Sequence, residues 1–189
     1  MDTELKLFAV LLGGYAKPAR IELHDIVFTV GETLEAQYPY LIHQWFGQTK
    51  HLHVDSSAEL SVVDGYKIHI VSQKPEQDEQ SPSLYFVNFG GYNPKVFGES
   101  HEMSFYVGHN RKEITAKAKQ DLCVGQHQQH CDDSYAIEVD DIVKVDQIGQ
   151  HYIKLEPTTL ADQIDIQSHY RRIDVPDILA ESERIKSSC

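Results

Sequence analysis

Hydrophobic and polar positions along this chain fall into short strand-like runs, and the runs come in two similar sets. Leu5–Leu12 is almost continuously apolar, as a strand buried on both faces would be. Gly13-Gly14 is expected to break it. From Glu22 to Val30 the pattern alternates. Glu22, His24, Ile26, Phe28 and Val30 then share one face, because strand side chains alternate with period two. Leu34, Tyr38, Leu41, Ile42 and Trp45 recur at helical spacing, and Pro39 suits a first helical turn. Leu52–Asp55 and Glu59–Val63 read as two further strands. Asp64-Gly65 reads as a tight hairpin turn into Tyr66–Val71.

The second set starts with the apolar run Leu84–Phe89, followed by an alternating strand in which Glu99, His101, Met103, Phe105 and Val107 share a face. A helix follows. Asn110 and Glu113 form its capping pair, Ile114, Ala118 and Leu122 its apolar stripe, and Gly125 its end. Between the sets, Ser72–Ser83 is polar and holds Pro75 and Pro82, as a linker would. After Pro157 nothing matches the first set. Asp177–Ser187 is expected to be a short exposed helix or a frayed tail.

The two sets align without a gap over residues 7–31 and 84–108, with ten of 25 pairs identical. Gly13-Gly14-Tyr15 recurs as Gly90-Gly91-Tyr92, and Glu22-x-His24 as Glu99-x-His101. Fixed-period self-similarity marks repeated structural units. Further on, Glu59–Asp64 matches Asp141–Asp146 at an offset of 82, and Ile68–Ile70 matches Ile153–Leu155 at 85. The fold expected from this pattern is α+β: an internal duplication of a β-β-α-β-β unit, packed as one body with pseudo-two-fold symmetry. Residues 1–71 form the first copy, 72–83 the linker, 84–156 the second copy and 157–189 a C-terminal extension.

Composition narrows the setting. A net charge of −12 over 189 residues disfavours binding to a phosphate backbone. It suits solubility or a basic protein partner. No apolar run reaches the roughly 20 residues of a membrane span. The N-terminal apolar stretch matches the strand Leu84–Phe89 and so reads as strand, not signal peptide. Three cysteines without framework spacing, Cys123, Cys131 and Cys189, point to a reducing, cytoplasmic compartment.

Taken together, LLGGYAKPARIELHDIVFTVG, YPYLIHQWFG, HLHVD and VDGYKIHI resemble a bacterial domain family of unknown function, number 1543. LYFVNFGGYNPKVFGESHEMSFYVG matches it more loosely. The resemblance covers about residues 5–155. It implies the two-copy architecture and a bacterial cytoplasmic setting, and it carries over no catalytic residue. The second copy lacks the Trp-Phe-Gly of the first, so a site that depends on Trp45 would be single.

Two constellations have candidate chemistry. In each copy a glutamate and a histidine sit two apart on one strand face beside a Gly-Gly-Tyr loop: Gly13, Gly14, Tyr15, Glu22 and His24, then Gly90, Gly91, Tyr92, Glu99 and His101. A carboxylate beside an imidazole fixes its tautomer and suits general-base work, and paired glycines admit a ligand close to the backbone. The same residues can instead brace the loop by bonding its amides. The second constellation is His51-x-His53. Its imidazoles face one way on a strand and could gain Glu22 and His24, or Asp55, as further ligands to a metal. There is no Walker loop, dinucleotide fingerprint or serine elbow.

The function expected from the sequence is that of a non-catalytic cytoplasmic binding or interaction protein. It would use these elements, with Trp45 and Phe46 as an apolar anchor where exposed. Its partner would be an unknown protein or small ligand, with neither nucleic acid nor membrane involved, and no cofactor is expected. The alternative is a small hydrolase-like enzyme, metal-assisted, with the Glu-x-His pairs as acid and base. A third class is a regulatory protein whose acidic surface masks a basic partner.

Overall fold

The computed structural model describes residues 4–76, 81–125, 127–130 and 142–180. In chain order the strands are β1 (Lys6–Tyr15), β2 (Leu23–Gly31), β3 (Gln48–Val63), β4 (Tyr66–Val71), β5 (Ser83–Tyr92), β6 (Glu99–Gly108), β7 (His127–His130), β8 (Ile142–Val145), β9 (Gln147–Ile148), β10 (His151–Pro157) and β11 (Gln163–Arg172). The helices are α1 (Tyr38–Gln44), which follows a 3-10 turn at Glu35–Gln37, and α2 (Arg111–Asp121); residues 175–180 are also helical. No helix among the described residues is long and apolar enough to cross a membrane.

The protein is mostly β-sheet, which overturns the expected α+β pair of β-β-α-β-β units. The reasons are local. Gly13-Gly14 does not break β1 but lies within it. Leu52–Asp55 and Glu59–Val63 are parts of one strand of 16 residues, because Ser56 and Ser57 continue the pairing with β1. β11 was not expected at all: most of its residues are exposed, so it carries no clean alternation of buried and exposed positions. After the helices the two halves also differ. α1 is followed by the single strand β3, whereas α2 is followed by the short strands β7 and β8, both paired with β5.

The chain divides into two compact units. One takes the chain up to Ser61 and again from Gln163, and the other runs from Val62 to Asp162. In the first unit the strand order is β2-β1-β3, with β11 also paired with β3. Phe8, Val10 and Leu12 of β1 and Leu52 and Val54 of β3 join Leu41, Ile42 and Trp45 in one core. Ile173 and Val175 belong to the same core, and the Ile173 N–H donates to the Leu52 carbonyl at 3.0 Å. The C-terminal stretch is therefore a structural part of this unit.

In the second unit β6 pairs with β5, and Tyr85, Val87, Phe89 and Tyr106 form a core with Ile114, Ala118, Leu122 and Cys123 of the helical segment. β4 pairs with β10. Asp64 (φ +50°) and Gly65 (φ +75°) make the two consecutive left-handed turns of a tight hairpin. Asn110 caps α2 as expected, accepting from the Glu113 N–H at 3.0 Å.

The β1–β2 and β5–β6 hairpins share one register, with Gly13 opposite His24 and Gly90 opposite His101. Leu7 faces Leu60 and Leu84 faces Val145, so the strands beyond correspond at residues 60 and 145. That is three residues beyond the offset read from the sequence.

Candidate functional site

Strand alternation divides the first unit's sheet into two chemically different faces. On β3, Leu52 and Val54 point to the core, so His53 and Asp55 point the other way. On β1, Leu12 and Gly14 lie on the core side, where the Trp45 ring takes the space above Gly14, and Gly13 lies on the opposite side. On β2, Val27 belongs to the core, and His24 lies on the other face. Because β1 sits between β2 and β3, His24, Gly13 and His53 converge on one face. Glu22 joins them from the residue before β2.

The resulting geometry is close. His53 Nε2 lies 2.7 Å from Glu22 Oε1 and 3.3 Å from Asp55 Oδ1. His24 Nε2 lies 3.0 Å from Asp55 Oδ2. That oxygen is buried and makes no aligned hydrogen bond despite the short distance. Asp55 thus offers one oxygen to each of two imidazoles. The imidazole of His53 is buried (the residue is 4% exposed), while the carboxylate of Glu22 and the ring of His24 reach solvent.

His53 Nδ1 lies 2.8 Å from the His51 carbonyl and must donate to it. A neutral ring then has its lone pair on Nε2, and that lone pair would face two carboxylate oxygens. A second proton or a cation at Nε2 resolves this contact. Glu22, His53 and Asp55 each offer one ligand atom, all within 4.8 Å of one another. A Cβ at Gly13 would lie 2.4 Å from both His53 Nε2 and Asp55 Oδ2 and 2.9 Å from Glu22 Oε1. Gly13 is the floor of the cluster, and its missing side chain is what leaves room for it.

His51 contributes its backbone. Its φ is +68°, in the left-handed region that favours glycine. It sits in an irregularity of the β1–β3 pairing, where β3 advances from Gln48 to His53 while β1 goes only from Tyr15 to Gly13. Such bulges re-aim neighbouring side chains. Beside the cluster is a cavity of about 310 Å³ lined by Gly14, Tyr15, Arg20, Ile21, His51 and Tyr170 along with Glu22 and His53. The Tyr170 ring lies against His53 with centroids 4.4 Å apart.

The Glu-x-His pairs behave differently in the two halves. Glu22 and His24 both turn to β3, whereas His101 Nε2 lies 3.3 Å from Glu99 Oε2 of its own pair. Glu102 accepts from the Cys123 N–H at 2.9 Å. Gly90 and Gly91 lie within β5, as their counterparts do in β1, and Tyr92 ends that strand exposed. The backbone of His130 stands opposite Gly90 as His53 stands opposite Gly13. Cys131 lies outside the described residues.

Trp45 is not an exposed anchor. It is 6% exposed, packs in the core and donates from Nε1 to the Gln48 carbonyl at 3.1 Å. Its neighbour Phe46 is 58% exposed. Tyr170 and Arg20 were missed in the sequence. Tyr170 comes from β11, more than a hundred residues from His53, and Arg20 from a loop without a motif.

The family model of a Domain of Unknown Function, DUF1543, matches residues 19–70, a span that holds Glu22, His24, His53 and Asp55. The chain is similar to a solved crystal structure, that of a protein Il1583 from Idiomarina loihiensis. The two are 35% identical with a TM-score of 0.63, over 89% of this chain and 97% of that one. No curated protein matches.

Proposed function

Since the chain belongs to the same family as Il1583 and carries a match to the DUF1543 domain of unknown function, we propose a function from its own side chains: it binds one divalent metal ion through Glu22, His53 and Asp55 and uses it for hydrolysis. The observation that carries this reading is His53, whose Nε2 is aimed at two carboxylates while Nδ1 is committed to the His51 carbonyl. Two carboxylates around a buried imidazole repel one another, and a divalent cation cancels their charge. One nitrogen and two oxygen donors suit zinc, manganese or ferrous iron. The reading departs from the sequence expectation of no cofactor, and from that of a non-catalytic binder, whose apolar anchor Trp45 is buried.

Three protein ligands next to an open cavity is the pattern of a catalytic rather than a structural metal site. A divalent ion held there supplies a Lewis acid that activates water at neutral pH. His24 is placed to carry protons, since Asp55 Oδ2 sits 3.0 Å from its Nε2 and orients the ring from the far side of the cluster. Tyr170 covers His53 and limits solvent access to the ligand.

The test is metal titration of chelator-stripped protein with zinc and with manganese chloride, followed by calorimetry and elemental analysis. One ion per chain is expected, together with a rise in Tm. His53→Ala and Asp55→Ala should lose the ion, whereas His24→Ala should keep it and lose hydrolysis. A wild-type chain that binds no more metal than Asp55→Ala would overturn the reading.

A further inference from the structure

The cavity beside the cluster has a chemical character of its own. Of the side chains lining it, Arg20 alone carries a permanent positive charge, and among the described residues it makes no ion pair. Its nearest acidic neighbour in sequence, Glu22, is turned to His53. Arg20 is exposed, so in a chain of net charge −12 its guanidinium is open to an anionic ligand. Glu22, His51 and His53 are its other polar groups, and the remaining side chains are apolar or aromatic: Ile21 is 76% exposed, Tyr170 is 61% exposed, and Tyr15 is also exposed. These three present ring and aliphatic surface to the cavity.

A volume of about 310 Å³ is at the small end of ligand pockets and fits a compact molecule, not a polymer. Such a molecule would place a flat apolar group among Tyr15, Ile21 and Tyr170 and an oxyanion between Arg20 and the metal position. Arginine's planar fork matches the oxygens of a phosphate, and a divalent ion on the other side would neutralise the remaining charge.

We propose that the substrate class of this site is a small aryl phosphate monoester, an inference that rests on the metal reading above. The oxygen of a water molecule bonds to phosphorus, and the bond from phosphorus to the aryl oxygen breaks. The electron pair leaves on the aryl oxygen, which takes up the proton that the attacking water gives up. One ester and one water give one phenol and one inorganic phosphate, with no oxidant or reductant. Arg20 holds the phosphoryl oxygens and Tyr170 positions the ring. His51 lends the cavity its side wall.

The experiment uses the full-length chain loaded with zinc or manganese. 4-Nitrophenyl phosphate is the substrate, 4-nitrophenyl acetate the neutral comparison, and phenylphosphonate, which has no hydrolysable ester, the binding probe for calorimetry. Release of 4-nitrophenol from the phosphate is expected, along with metal-dependent binding of phenylphosphonate. Arg20→Ala should raise KM about tenfold with a smaller change in kcat, as loss of an interaction common to ground and transition states does. Arg20→Lys should fall between. Metal content and circular dichroism of both variants should match the wild type, which separates the loss from misfolding.

If the protein binds one metal ion but neither binds phenylphosphonate nor hydrolyses the phosphate, the substrate assignment falls and the metal reading stands. The same holds if the acetate is the better substrate or if Arg20→Ala leaves KM unchanged. If no metal binds, both fall together.

Discussion

Gly13 exists where it does because of His53. A Cβ on residue 13 would sit 2.4 Å from His53 Nε2, closer than any real contact allows. Gly13 is not at a positive φ, so its role is room and not backbone freedom. Gly13→Ala should therefore push His53, Asp55 or Glu22 out of place. The expected cost is about 1–3 kcal/mol of stability, as for other overpacked sites. Metal affinity should also fall at least about tenfold, since misplacing one ligand by an ångström is enough. Urea unfolding and calorimetric metal titration on the same preparation would check both.

His51 predicts a different outcome from its neighbour. The site uses the His51 carbonyl and its left-handed backbone, at φ +68°. A non-glycine residue in that region costs about 1–2 kcal/mol. His51→Gly should keep the metal and leave the protein equally stable or up to about 1 kcal/mol more stable, because glycine adopts this conformation freely. Loss of the ion in this variant, measured by elemental analysis, would instead place the His51 ring among the ligands.

Trp45 and Phe46 should separate cleanly. Trp45 fills core space above Gly14, and a Cβ there would meet its ring at 2.9 Å. Trp45→Ala should cost about 3–5 kcal/mol, as large-to-small core changes do. Phe46 is exposed and only leans on Trp45, with centroids 4.6 Å apart. Phe46→Ala should stay within about 0.5 kcal/mol. A Trp45→Ala variant of native stability in urea titrations would return Trp45 to the surface.

Much of the site was legible, and its limits have physical causes. The two-residue spacing of Glu22 and His24, and of His51 and His53, is visible because strands alternate; Glu22, His24 and His53 do meet on one face, while His51 sits in the bulge and enters through its carbonyl. The sequence does not show strand order. Only with β1 between β2 and β3 does Gly13 become a floor and Asp55 a partner to two histidines. Glu22 and His24 do not pair with each other but both reach across to β3, whereas His101 lies 3.3 Å from Glu99. β11 was illegible because it is exposed along most of its length, so burial left no period in its composition. Tyr170 was lost with it. At α2 the N-terminal cap was read from Asn110 and Glu113, but the helix ends at Asp121 and not at Gly125. The mostly β character was not read, because one long strand looked like two short ones.

The α2 cap gives a pH prediction. Glu113 Oε2 accepts from the His109 N–H at 2.9 Å, and this bond, ahead of the nearby Lys117 charge, holds the Glu113 carboxyl below its ordinary value of 4.5. A carboxyl lowered in the folded state favours folding while ionised. That contribution is complete above about pH 4.5 and is lost as pH falls through the depressed value. Glu113→Gln should flatten the acid limb of the stability curve relative to wild type. Asn110→Ala removes the other half of the cap and should cost about 1 kcal/mol at all pH values. Thermal melts from pH 3 to 7 would distinguish them, and parallel curves for wild type and Glu113→Gln would rule out the assigned bond.

Cys123 should be a slow thiol. It is buried beside Phe89, whose carbonyl accepts from its Sγ at 3.3 Å, and Glu102 stands close enough to accept from its N–H at 2.9 Å. Burial comes first and the Glu102 charge second, and both push the thiol above its ordinary value of 9.0, outweighing the backbone hydrogen bond to Glu102. The reactive species is the thiolate, so little of it forms at neutral pH. Iodoacetamide at pH 8.5, with modification mapped by mass spectrometry, should label Cys123 far more slowly in the native protein than in urea. Glu102→Gln should narrow that difference only in part, because it removes the like charge but leaves the burial. If Cys123 in the folded chain reacted as fast as an unfolded thiol, neither the burial nor the hydrogen bond to Phe89 could be as described.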